Sequence, residues 1–174
     1  VVKVDYYDGT VDAFEPSSFA PPPGEVFALP MKLDDSVPTI DATVDDSSAD
    51  NFIVDTGSTF VLVFQTFARS HAAELPPVSY TIANKTYYPM LTAQGVGGFF
   101  SLQPAIVDRF KAGAGVENLQ VFDVVDAVAD FQGEDDDGLL GYEFLRLFDV
   151  YLDYKDSVLL LQPNPSFAAH ERGF

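Results

Sequence analysis

The chain has 174 residues, with 27 acidic against nine basic side chains, a formal charge of −18 at pH 7, and 47% hydrophobic residues. This fits one globular domain able to bury a core, and the charge argues against partners such as nucleic acid or anionic membrane surfaces. Without cysteine there is no disulfide framework, thiolate nucleophile or Cys-based zinc site.

Turn residues recur about every ten positions, and the segments between them are rich in Val, Phe, Tyr, Leu and Thr, which reads as mainly β. Residues 1–25 are predicted as an N-terminal strand and linker, 26–165 as the main domain and 166–174 as a tail. Val1 follows neither a methionine nor a signal-like stretch, so a processed or excised piece is expected. Val26–Leu33 and Thr39–Val44 read as a hairpin, and Phe52-Ile53-Val54 as a short buried strand entering Asp55. Phe60-Val61-Leu62-Val63-Phe64, among the longest apolar runs, is too short to insert across a membrane. Helical spacing marks Phe64–Leu75 and Tyr142–Phe148. Further strands are predicted at Thr86–Leu91, Phe99–Val107, Leu119–Val125, Phe148–Tyr154 and Val158–Gln162. Asn84-Lys85-Thr86 fits a glycosylation sequon.

The two ends echo one another. Val4-Asp5-Tyr6-Tyr7-Asp8-Gly9-Thr10-Val11, followed by Pro16-Ser17-Ser18-Phe19, parallels Leu152-Asp153-Tyr154-Lys155-Asp156-Ser157-Val158-Leu159, followed by Pro163-Asn164-Pro165-Ser166-Phe167. Either two unrelated hairpins share turn chemistry, or the N-terminal segment is the tail of a preceding copy of the domain.

Asp55-Thr56-Gly57-Ser58 places a carboxylate at the end of a buried strand, in a turn where glycine permits close backbone approach. By itself such an aspartate is more often an Asx-turn residue. Two other segments change that reading: Gly138-Leu139-Leu140-Gly141, about eighty residues later, and the glycine-rich turn Gly95-Val96-Gly97-Gly98-Phe99-Phe100. Together and in this order they resemble the retropepsin-like aspartic peptidases, and the wording Asp-Gly-Leu-Leu-Gly-Tyr-Glu-Phe-Leu at 137–145 resembles the cellular, largely bacterial members. The resemblance covers roughly Val26–Pro163. The interval from Asp55 to the glycine-rich turn is longer than in the retroviral enzymes.

The resemblance implies a closed, β-barrel-like acid-protease fold with one or two short helices, and an aspartic endopeptidase needing no cofactor or metal. Asp55 would be the catalytic acid/base, Thr56 would brace two loops, Gly57 would contact substrate and Ser58 would bond the outer carboxylate oxygen. Gly97, Gly98 and Phe99 would form a flap over an extended peptide, and Leu139, Leu140 and Gly141 would support the site. Peptide hydrolysis by this route needs two carboxylates sharing a proton, and this sequence carries one Asp-Thr-Gly. The partner would come from a homodimer or from a second lobe, and the substrate would be a protein or peptide. The alternatives are a non-catalytic dimerisation or peptide-binding module, or a single lobe inactive by itself. A periplasmic or secreted location is favoured over a cytoplasmic one. Glu134-Asp135-Asp136-Asp137, Asp45-Asp46 and Asp34-Asp35 read as solvated loops, and His71 and His170 as structural or surface residues.

Overall fold

The computed structural model describes residues 1–71, 75–95, 98–113, 116–125 and 136–171. Strands β1 (Val2–Asp5) and β2 (Thr10–Ala13) form a hairpin, as do β3 (Phe27–Asp34) and β4 (Val37–Val44). β5 (Ser47–Val54) leads into Asp55, and β6 (Leu62–Phe64) leads directly into α1 (Gln65–Ser70). A small hairpin of β7 (Tyr80–Ile82) and β8 (Lys85–Tyr87) precedes a larger one of β9 (Leu91–Gly95) and β10 (Gly98–Ala112). Then come β11 (Val116–Val125), β12 (Gly138–Leu140), α2 (Tyr142–Leu145), β13 (Phe148–Asp153), β14 (Val158–Pro163) and α3 (Pro165–Glu171).

The main sheet runs β2-β1-β13-β14-β3-β4-β5-β12-β6-β11-β10-β9. β10 also pairs with β4, so the ladder returns from β10 to a strand it has already used. Its pairs are antiparallel except β5–β12 and β6–β11. Local chemistry sets the tight turns. Asp35 and Ser36 have φ of 43° and 72°, the two positive values that a two-residue hairpin needs to match strand twist.

Fully buried Phe52, Phe110, Phe144 and Phe148 join β5, β10, α2 and β13, with successive centroids 5.4, 5.6 and 5.2 Å apart. Each buried ring contributes about 1.5–3 kcal/mol relative to exposure, so the core ties the Asp55 strand to the C-terminal hairpin.

Several boundaries depart from the sequence reading. The helix predicted at Phe64–Leu75 shortens to Gln65–Ser70, and the strand predicted at Phe99–Val107 extends to Ala112. Three further differences have a plain physical cause. β5 begins at Ser47 and not at Phe52, because Thr43↔Ser48 and Ala42↔Ala49 pairing with β4 recruits a polar stretch that composition does not mark as strand. The strand predicted at Thr86–Leu91 is split, since Pro89 between β8 and β9 has no N–H for a ladder. The predicted tail contains a third short helix, α3. Asn164 caps it by accepting the Ser166 N–H at 2.8 Å, and Pro165 supplies a preset first helical residue. Phe167 on this helix packs 5.2 Å from Phe148.

The long interval before the glycine-rich turn is also explained. Val78 N–H donates to the Pro104 carbonyl and Ile106 N–H to that of Pro76, while β9 pairs with the start of the same β10. The β7–β8 hairpin is therefore an insertion in the chain running along β10.

Lys3 clips the N-terminal hairpin to β13, with Nζ 2.8 Å from Asp5 and 2.9 Å from Asp149. Burial acts to lower the Lys3 pKa, but these carboxylates outweigh it and hold it well above the usual range. Burial acts to raise Asp5, but the Asp8 N–H and Lys3 outweigh it, and the net direction is down. A depressed carboxylate contributes stability above its unfolded pKa that is lost as pH falls through the folded one. Asp5→Asn is expected to cost about 1.5 kcal/mol near pH 6, or about 3–6 °C in Tm, with the difference from wild type shrinking below about pH 4. Thermal melts across pH check this; a pH-independent difference would assign the effect to the turn hydrogen bond alone.

Candidate active site

β5 delivers Asp55 to the end of a buried strand, with Phe52 and Val54 inside and Asp55 half-buried. Its backbone N–H donates to the Leu140 carbonyl at 3.1 Å, because β12 lies parallel to β5 with Leu140 opposite Val54. The loop then turns on itself: Gly57 N–H donates to Asp55 Oδ1 at 2.8 Å, and Ser58 N–H to the Asp55 carbonyl at 3.3 Å. A Cβ at Gly57 would sit 3.3 Å from that same Oδ1, so the glycine allows the carboxylate to be held from behind by a main-chain donor.

Ser58 Oγ donates to the Phe60 carbonyl at 3.4 Å, and the bond to Asp55 Oδ1 comes from Gly57 N–H. The Thr56 side chain is exposed, and its carbonyl accepts the Tyr6 hydroxyl at 3.1 Å.

Leu139 and Leu140 are buried in β12, between β5 and β6. Gly141 then packs so closely on the loop that an added Cβ would lie 2.1 Å from the Phe60 carbonyl oxygen and 2.9 Å from that of Ser58. Just beyond, Tyr142 N–H donates to Ser58 O at 2.8 Å and Glu143 N–H to Thr59 O at 3.1 Å. The start of α2 therefore holds the far side of the Asp55 loop through first-turn amides that have no acceptor within the helix.

Gly95 and Gly98 face each other across the β9–β10 hairpin tip, with Gly98 at φ +118° and nothing within 4 Å of where a Cβ on it would stand. Phe99 beside it is 76% exposed. Gly97 lies outside the described residues, as do Glu134 and Asp135 of the acidic run.

Two acids read from the sequence as solvated have structural jobs instead. Asp45 Oδ1 accepts the N–H groups of Asp108 and Arg109 at 2.8 and 2.9 Å, filling the irregularity where the β10–β11 register shifts. Asp137 accepts the Asp50 N–H on a carboxylate oxygen, and its carbonyl accepts the Phe64 N–H. His71 stacks on Phe67 at 4.2 Å and closes the end of α1 through Ser70 and the Phe67 carbonyl. Among the described residues no group of three or more His, Cys, Asp or Glu could hold a metal ion.

Tyr6 is the site neighbour that the sequence did not announce. It sits edge-on to Tyr142 at 5.3 Å, and burial, with the Asp55 charge second, pushes its pKa up to about 12. A raised tyrosine contributes stability that is whole below its unfolded pKa near 10 and lost as pH rises through about 12. Tyr6→Phe is expected to cost about 0.5–1 kcal/mol at neutral pH and to remove part of the alkaline loss of stability. Melts of both proteins, with phenolate absorbance followed in parallel, check it.

A family model described as aspartyl protease matches residues 40–144, which span the Asp55 loop, the glycine-rich hairpin and β12. The chain belongs to the aspartyl protease family. No curated protein matches it. Among solved structures it is similar to a retropepsin-like aspartic protease from Rickettsia conorii, at 18% identity and a TM-score of 0.52, covering 79% of this chain and 99% of that one. At that identity the likeness concerns the fold, which is retropepsin-like and mainly β. Family and fold together support a protease-type function for this aspartyl protease chain.

Proposed function

We propose that the chain is the catalytic lobe of an aspartic endopeptidase, in which Asp55 and a second aspartate hydrolyse peptide bonds by activating water. The observation that carries this is the construction around Asp55: its N–H is tied to Leu140, its Oδ1 is held by Gly57 N–H, and its loop is braced by Gly141 and the start of α2. The Gly57 bond by itself is that of an Asx-turn; the bracing of this half-exposed turn by β12 and the start of α2 is what favours the catalytic reading. Two facing carboxylates share one proton because both cannot be ionised at short range. The ionised carboxylate takes a proton from water as its oxygen attacks the carbonyl carbon, and the protonated one donates to the carbonyl oxygen. The leaving amine then receives a proton as the C–N bond breaks.

The substrate is an extended peptide with apolar residues near the cleaved bond, lying beneath the β9–β10 hairpin, where Gly98 supplies an unobstructed backbone and Phe99 an apolar face. The test is cleavage of an unfolded protein by the completed two-carboxylate enzyme, with and without a chelator, against Asp55→Asn. Acid-favoured cleavage that survives the chelator and is lost in the variant supports the reading. Chelator sensitivity would turn attention to the acidic run instead.

A further inference from the structure

The echo between the two ends of the chain extends to hydrogen-bond register. β1–β2 pairs Val2↔Ala13 and Asp5↔Thr10, and β13–β14 pairs the corresponding Val150↔Leu161 and Asp153↔Val158. Gly9 and its counterpart Ser157 both have positive φ, at 68° and 53°. Asp5 and Asp153 are both 6% exposed, and each accepts a turn N–H, from Asp8 at 2.9 Å and Asp156 at 3.2 Å. A shared turn type with the same loop length fixes all of these, so what separates a repeat from two unrelated hairpins is how the two hairpins meet.

The two hairpins also meet symmetrically. β1 pairs antiparallel with β13 as Val2↔Leu152, Lys3↔Tyr151 and Val4↔Val150. Exchanging each residue for its counterpart returns these three pairs, and the fourth, Asp5↔Asp149, maps onto Val1 just outside β1; a local two-fold axis thus passes between Lys3 and Tyr151. The hairpin is thus firmly seated on β13, which at first sight makes it part of this domain. A closing hairpin from another lobe related by two-fold symmetry would be seated the same way.

Two asymmetries favour the second lobe. β14 uses its outer edge to pair with β3, and Leu159 and Leu161 are fully buried; β2, its counterpart, is exposed along its whole length, with Val11 at 70%. Tyr6 is seated on the Thr56 carbonyl of the Asp55 loop, whereas its counterpart Tyr154 is 43% exposed. Among the described residues, therefore, no strand pairs with the outer edge of β2 as β3 does with β14, and no aspartate loop meets Tyr154 as one meets Tyr6.

We infer that β1–β2 is the closing hairpin of a second lobe of the same fold, carried earlier in the same polypeptide, and that this lobe and not a second copy of the chain completes the site. The inference rests on the peptidase reading for the role of the second aspartate. The two asymmetries specify the occupant: a lobe that adds a strand to the free edge of β2 and presents an Asp-Thr-Gly-type loop to Tyr154. A symmetric homodimer through β13 would need the edge that β1 already fills.

The experiment uses the absence of native cysteine. Reciprocal bonds between Val1 and Phe14 direct Val2 and Val4 toward β13, leaving Lys3 and Tyr151 as a close, non-hydrogen-bonded pair whose Cβ atoms suit a disulfide. Lys3→Cys combined with Tyr151→Cys is expected to oxidise within one chain, and Tyr151→Cys alone to stay monomeric with a free thiol. Sedimentation of the unaltered chain at pH 7 and pH 4 is expected to give the monomer mass. A Tyr151→Cys disulfide dimer, interchain linkage or free thiols in the double variant, or a dimer of the unaltered chain would overturn the inference. So would a sequence ahead of Val1 without a second aspartate loop. These readouts need no cleavage, so they fail separately from the peptidase reading, which Asp55→Asn tests.

Discussion

Asp55→Asn is expected to reduce cleavage of an unfolded protein by about 10³-fold or more, while leaving the fold intact. A positioned acid/base is usually worth about 10²–10⁴, and the upper part of that range applies because one group serves here as both the proton acceptor and half of a shared-proton pair. Asparagine preserves shape and can still accept the Gly57 N–H that now reaches Oδ1 at 2.8 Å, so the Tm should move little. The pH dependence follows from the same chemistry. One carboxylate must be ionised and one protonated, so activity should be greatest in the acidic range and fall as the second proton is lost. The measurement is kcat/KM across pH for both proteins, with thermal melts alongside. Full activity in the variant would remove Asp55 from the mechanism. A lost fold would point instead to a structural role, which Asp55→Glu would then separate.

Gly141→Val is expected to be the most destabilising single change near the site. A Cβ there would lie 2.1 Å from the Phe60 carbonyl oxygen, and both nearest contacts are backbone that no side-chain rotation relieves. Overpacking of this kind costs about 1–3 kcal/mol or more, which corresponds to a Tm fall of about 2–12 °C. Activity should fall with it, because the displaced Ser58 and Phe60 carbonyls belong to the loop that aims Asp55. Gly98→Ala is the contrast: nothing lies within 4 Å of its Cβ position, so its cost comes from φ +118° alone and falls on the exposed hairpin tip. An unchanged Tm in Gly141→Val would contradict the close approach of α2 to the loop.

The sequence by itself determined the local pieces: the strand and small-residue turn at Asp55, the Leu139-Leu140-Gly141 segment, the hairpin around the glycine-rich turn and the repeat at the two ends. Each is legible because its requirement is local, a backbone conformation or an alternation that particular residues satisfy within a few positions. Tertiary structure decided what those pieces touch. Only the fold brings β12 parallel to β5, so that Leu140 receives the Asp55 N–H, and only the fold seats Tyr6 on the Thr56 carbonyl, fifty residues away in the chain. Asp45 and Asp137 look like solvated acids in one dimension and prove to be acceptors for main-chain amides of distant strands. Their roles were hidden because a carboxylate's partner is set by where the ladder breaks, and ladder breaks depend on which strands meet. The split of the predicted Thr86–Leu91 strand has the same origin: Pro89 was visible, but β10 as the common partner of the segments on either side of the inserted hairpin was not.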